Sequence, residues 1–216
     1  MARRGPRREE TRDLRRHPAS RDPLPLILVV CEGTVTEPEY INEFRLAHGT
    51  TTVRVHVVAP GGDPMALVQH AIDISEAAAR EARRARDENL AYDEVWCVID
   101  VDVHARLVEA RTLAGRNRVN LAVSNPCFEL WLLLHFAEHT AHLNAGDARR
   151  RLRKHLPNYD KHVRFEDVAA GYADAVKRAE ALDRRHAGAD SEGANPSTGV
   201  YRLTERIRQF GKSERL

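Results

Sequence analysis

Residues 24–44 read LPLILVVCEGTVTEPEYINEF. Leu26 to Val30 form an unbroken apolar run, the pattern of a strand buried on both faces. The run stops at Cys31, Glu32 and Gly33. Carboxylates are seldom buried unless something pairs with them, so an acid at the exit of such a strand needs a reason. Gly33 implies a tight backbone path. Thr34 or Thr36 can cap a following helix that contains Glu37, Tyr40, Ile41 and Phe44. Strand, acid, turn and helix in that order put Glu32 at the carboxyl edge of a parallel sheet, where open α/β folds gather their ligands.

The alternation continues outward. TTVRVHVVAP (51–60) is rich in β-branched residues and reads as a second strand. GGDPMALVQHAIDISEAAAREARRAR (61–86) opens with Asp63 as N-cap and Pro64 at the first helical position. Its apolar stripe is Met65, Leu67, Val68, Ala71, Ile72, Ala78 and Ala82. DEVWCVIDVDVH (93–104) is a third strand, a helix follows near 105–115, and VNLAVSN (119–125) is a fourth strand. NPCFELWLLLHFAEH (125–139) is apolar nearly all round, so it predicts a buried helix, with Ser124 or Asn125 as cap and Pro126 at its start. This order predicts an α/β fold with a four-stranded, mostly parallel sheet flanked by helices. Further helices are predicted at 146–155, 165–186 and 198–210. The chain then divides into an arm (1–22), an α/β core (23–140) and a C-terminal helical extension or subdomain (141–216).

The 216 residues carry 34 Lys and Arg against 32 Asp and Glu, a formal net charge of only +2. The distribution is uneven. Residues 1–22 hold Arg3, Arg4, Arg7, Arg8, Arg12, Arg15, Arg16 and Arg21 with almost nothing apolar. Such a segment cannot offset its ordering entropy by burial and reads as a flexible basic arm, either a solvated tail or a binder of phosphates. It is no secretory signal, and no later run approaches the roughly 18 apolar residues of a membrane span; a cytoplasmic protein is expected. Cys31, Cys97 and Cys127 lie in or beside apolar elements without metal-type spacing, so buried thiols are expected rather than a zinc site or disulfide framework.

The third strand adds to the acid question. Asp100, Asp102 and His104 alternate with valines, so an extended chain points all three to one face. If strands one and three are neighbours, Glu32, Asp100 and Asp102 converge. Two unit charges 4 Å apart repel by about 4 kcal/mol at an effective dielectric near 20. Mg²⁺ or Mn²⁺ resolves that repulsion with oxygen ligands; turn capping or pairing with arginines is the alternative. Glu129 is expected one turn inside the buried helix. A capping-box acid after Asn125 would stand at Phe128, so Glu129 is either a fourth site acid or a partner of the helix dipole. Arg149, Arg150, Arg151, Arg153, Lys154 and His155 form a basic run able to track a nucleic-acid backbone through its phosphates, or simply a solvated helix. Asn195, Ser197 and Thr198 stand at a predicted helix start, where backbone amides bind phosphate and where plain capping is equally served.

Five blocks carry a family likeness: VVCEGTVTEPEY (29–40), VIDVDVH (98–104), SNPCFELWLLLHF (124–136), YDKH (159–162) and NPSTGVYRL (195–203). Together they resemble the RloB family, found in bacterial restriction-modification loci and phage abortive-infection systems. The acid after strand one and the Asp-x-Asp after strand three are similar to the Toprim fold of topoisomerases, primases and several nucleases. The resemblance implies that Glu32 is a general acid/base or metal ligand and that Asp100 and Asp102 hold Mg²⁺. It also implies a further acid and a lysine, for which Glu129 and Lys161 stand. Beside these, His104 is able to stabilise developing charge and Asn125 stands as a second accessory candidate. The implied activity is metal-dependent cleavage of DNA or RNA in phage defence. A nucleotide phosphotransfer enzyme and a non-catalytic nucleic-acid-binding or regulatory subunit are the other classes. No Walker-type phosphate loop is present, so any ATPase activity is expected from a P-loop partner encoded by an adjacent gene.

Overall fold

The computed structural model describes residues 25–57, 63–101, 106–186 and 194–213. The basic arm (1–22), Asp102 and His104 lie outside the described residues. Strand β1 (Ile27–Cys31) runs parallel to β2 (Val53–Val57) on one side and to β3 (Glu94–Asp100) on the other. β4 (Val119–Asn125) runs parallel to β3. A fifth, two-residue strand, β5 (Ser197–Thr198), pairs antiparallel with the end of β4, giving the order β2-β1-β3-β4-β5. The adjacency of β1 and β3 meets the condition under which their terminal acids converge.

Alternation along β1 sorts the two faces of the sheet. Leu28 and Val30 pack with Leu67, Val68, Ala71 and Ile72 of helix α2 (Pro64–Ala85) and with Ala110 and Ala114 of α3 (Leu107–Arg116). Ile27, Val29 and Cys31 face the opposite way. They meet Tyr40, Ile41 and Phe44 of α1 (Thr36–Ala47) and Trp131 of α4 (Glu129–Leu134). The same cluster takes in α5 (Ala145–Leu152), α6 (Phe165–Val168), α7 (Tyr172–His186) and α8 (Val200–Ser213) through Leu152, Phe165, Leu182 and Leu203. The C-terminal helices therefore pack back on the sheet. Burying each large apolar side chain contributes about 1.5–3 kcal/mol, which makes this face the larger source of stability. Among the described residues no helix is long and apolar enough to cross a membrane.

Several boundaries differ from the sequence expectation. Asp63 does cap α2, accepting from Met65 N–H at 3.4 Å, with Pro64 first in the helix. Neither Thr34 nor Thr36 caps α1: Val35 holds that position without a side-chain bond. The buried helix predicted over 125–139 is only six residues long, because Asn125 remains in β4, paired with Ser197, and cannot serve as its cap. Its far end stops where Arg178 Nη1 takes the Leu134 carbonyl at 2.6 Å. Glu129 is thus the first residue of α4, not one turn inside it. The basic helix ends at Leu152, leaving Arg153, Lys154 and His155 in the turn beyond it. The helix predicted over 165–186 is split into α6 and α7 at 169–171, where Gly171 lies close enough to the His135 carbonyl that a side chain there would run into it. The helix predicted from 198 begins at Val200, since Ser197 and Thr198 enter the sheet.

Candidate functional site

Parallel pairing brings the exits of β1 and β3 together. Glu32 follows directly on β1, its N–H reaching Val98 O at 3.3 Å, and Asp100 closes β3. Helices α1 and α4 start beyond β1 and β4, and each carries an acid in its first turn: Glu37 and Glu129. The four carboxylates line one cavity of about 240 Å³ with Gly33, Thr36, Phe128, Arg149 and Lys161.

Asp100 Oδ1 is buried and has no hydrogen-bond partner among the described residues. Burial pushes this carboxyl well above the usual range, and the charges of Glu37, Glu129 and Glu32 push it further, against a hydrogen bond from Phe128 N–H. Burial, followed by Glu129 and Glu32, likewise pushes Glu37 up to about 7, against the pull of its own backbone N–H and of Lys161. Glu37 lies so close over Gly33 that a Cβ there would run into its carboxyl group. The glycine thus admits an acid to the strand exit.

Glu129 is buried with partners. Its Oε1 accepts from Tyr159 O–H at 3.0 Å and stands 3.2 Å from Arg149 Nε, an ion pair without hydrogen-bond geometry. The pairing offsets the cost of removing this carboxylate from water. Lys161 comes from the segment between α5 and α6. Its charge acts on Glu37, and its backbone has φ 88°. Cys31 and Cys127 lie close by as buried thiols, pushed up first by burial and next by the charges of Glu37 and Glu129 respectively.

The cavity gathers Glu32, Asp100, Glu129 and Lys161 from the sequence candidates. It adds Arg149, expected only as a phosphate contact on the basic run. Glu37 and Tyr159 were not singled out as site residues. Glu37 had a signal: an acid in the first turn of a helix that starts at the carboxyl edge of a parallel sheet. Tyr159 had none beyond its place in YDKH. Of the remaining basic residues, Arg150 pairs with Asp147 at 2.6 Å and Arg151 Nη1 reaches His139 Nδ1 at 3.5 Å. Arg153 donates to Tyr159 O at 3.1 Å, and Lys154 is exposed.

Asn195, Ser197 and Thr198 stand in other surroundings. Asn195 Oδ1 accepts from Leu143 N–H at 2.8 Å, and its Nδ2 donates to Leu143 O at 2.7 Å and to Asn125 Oδ1 at 2.9 Å. Ser197 and Thr198 are buried, with Thr198 Oγ1 2.9 Å from Ser124 Oγ and 3.4 Å from Val200 N. Their polar groups tie β4, β5 and α8 together.

Carboxylate oxygens are the donors that Mg²⁺ and Mn²⁺ prefer. Among the described residues, however, no group of three or more His, Cys, Asp or Glu side chains is spaced to hold a metal ion. Glu129 is drawn to Arg149 and Tyr159, and Glu37 lies over Gly33.

No curated protein and no solved structure matches the chain. The model of one family, described as RloB-like protein, matches residues 27–207. That span holds all the cavity's acids as well as Arg149 and Lys161. The chain belongs to the RloB-like protein family.

Proposed function

We propose that this protein is a divalent-metal-dependent nuclease, serving the phage-defence or restriction-associated role that its family suggests. The reading is carried by Asp100. Its carboxyl is buried, one oxygen has no hydrogen-bond partner among the described residues, and three more acids share its cavity. An orphaned buried oxygen and an all-oxygen donor set fit a hard cation. Asp100, Glu32, Glu37 and Glu129 would hold Mg²⁺ or Mn²⁺, with Asp102 from outside the described residues. The bound ion would act as a Lewis acid on the phosphate and lower the pKa of an attacking water.

The chain's own groups complete the chemistry. Arg149 and Lys161 flank the acids and would bind the non-bridging oxygens of a phosphodiester, where charge develops in the transition state. Arg150, Arg151, Arg153 and Lys154 follow Arg149 along the chain and would take neighbouring phosphates without reading sequence.

The test is incubation of purified protein with end-labelled single- and double-stranded DNA and with RNA, in Mg²⁺ or Mn²⁺ and in chelator. Cleavage that needs the ion and is abolished by Asp100→Asn supports the proposal. Cleavage unaffected by Asp100→Asn, or none with any substrate, overturns it.

A further inference from the structure

The segment between α5 and α6 supplies two groups to the site, the Lys161 ammonium and the Tyr159 hydroxyl, and one hydroxyl on α1 touches both residues. Thr36 Oγ1 donates to Lys161 O at 2.7 Å and stands 3.2 Å from Tyr159 Oη. These contacts cross more than 120 residues of sequence. Thr36 is 5 % exposed and makes no cap for its own helix. Its single proton goes to Lys161 O, which leaves the Tyr159 proton for Glu129 Oε1.

Lys161 has φ 88°. A residue with a Cβ stays in that region only where its surroundings over-determine it. Here the surroundings are one face of α1. Three residues after Thr36, Glu39 accepts from His162 Nδ1 at 2.7 Å and from Val163 N–H at 3.4 Å. One turn further, Glu43 accepts from Phe165 N–H at 2.5 Å. The two glutamates fix the far end of the segment, and Thr36 alone of the three holds Lys161 itself.

We propose that Thr36 is a positioning residue that sets Lys161, and with it Tyr159, against the carboxylate cavity. The inference rests on the reading of Lys161 as part of a nuclease site. Removing the hydroxyl frees the Lys161 carbonyl, lets φ relax out of the left-handed region and swings the ammonium away from Glu37.

The experiment compares Thr36→Val, which keeps the branched shape, with Thr36→Ser, which keeps the hydroxyl. On a substrate that the unaltered protein cleaves, Thr36→Val should lower kcat by about 10–100-fold, the range for groups that orient a functional residue. KM should change little, and Thr36→Ser should restore most of the rate. In a Lys161→Ala background, Thr36→Val should have no further effect, since the two act as a unit. Thr36→Ala takes the place of Thr36→Val should the latter not fold. Losses that simply add in the double variant overturn the proposal.

A second arm needs no activity. Labelling with an amine-reactive acylating reagent, read by peptide mass spectrometry, should show Lys161 reactivity altered in Thr36→Val and recovered in Thr36→Ser, with Lys154 and Lys177 unchanged. Unaltered Lys161 reactivity overturns the positioning role. If the unaltered protein cleaves nothing, the nuclease reading fails on its own, and this arm alone decides the role of Thr36.

Discussion

At the exit of β1 the Glu37 carboxyl lies where a side chain on Gly33 would have to begin, and the absence of one methyl group lets the acid in. In Gly33→Ala the obstacle is the tip of a flexible side chain, so stability should fall by only about 1 kcal/mol. The displaced Glu37 should nevertheless weaken Mn²⁺ binding. Melting and Mn²⁺ titration on one sample check both; a large loss of stability with unchanged titration would contradict this. Glu37 also has a pH signature. Its carboxyl stands at about 7 in the folded protein, against 4.5 when free. The stability it contributes is complete below 4.5 and is lost as pH rises through 7. The loss at alkaline pH amounts to as much as about 3 kcal/mol. Glu37→Gln should therefore be the more stable protein at pH 8, with the advantage shrinking towards pH 4.5, as measured by urea midpoints of the two proteins.

At the scale of elements, α4 is the piece on which the larger core and the site both depend. It ends on His135, whose Nδ1 lies 3.0 Å from Trp131 O and whose Nε2 lies 3.2 Å from Tyr40 Oη. A carbonyl can only accept, so Nδ1 carries the proton and Nε2 accepts from Tyr40. Burial, with the charge of Arg178 adding to it, lowers this imidazole to about 4 from 6.5. Stability from His135 is present above pH 6.5 and is lost as pH falls through 4, by up to about 3 kcal/mol. Unfolding midpoints of the protein and of His135→Gln should converge as pH falls from 7 to 4. Gly171 abuts the same residue, but here an added Cβ would meet the His135 carbonyl, which is backbone and cannot turn aside. Gly171→Ala should cost about 1–3 kcal/mol, more than Gly33→Ala, in the same melting experiment. The short α4 and the two-residue β5 were not legible in the sequence for one reason. Each is defined by its partner, Asn125 staying in the sheet because Ser197 pairs with it, and local propensity does not carry that information.

Over the whole molecule, the parallel sheet was legible because its strands are buried on both faces and announce themselves as apolar runs. The acids at strand exits were legible for the same reason, since a carboxylate ending such a run has no bland solvent face to occupy. Glu32 and Asp100 were read in this way, and Glu129 from its place in a buried helix where a capping box would fall on Phe128; the cavity unites all three. What escaped were residues whose role lies in contacts across long sequence separations. Tyr159 reaches Glu129 and Thr36 only once the C-terminal helices have packed back on the sheet. Arg149 looked like one more member of a basic run until the turn of α5 aimed it at Glu129.

The proposed nuclease requires that a divalent cation sit among the four carboxylates crowded into the partly buried cavity. Calorimetric titration of Mn²⁺ into the protein and into Asp100→Asn, with melting of the ion-free samples, tests it directly. Saturable binding is expected that weakens by at least about tenfold in Asp100→Asn, whose ion-free form should melt no lower than the original because a crowded buried acid has been removed. Equal binding by the two proteins, or no saturable binding by the unaltered one, would contradict it.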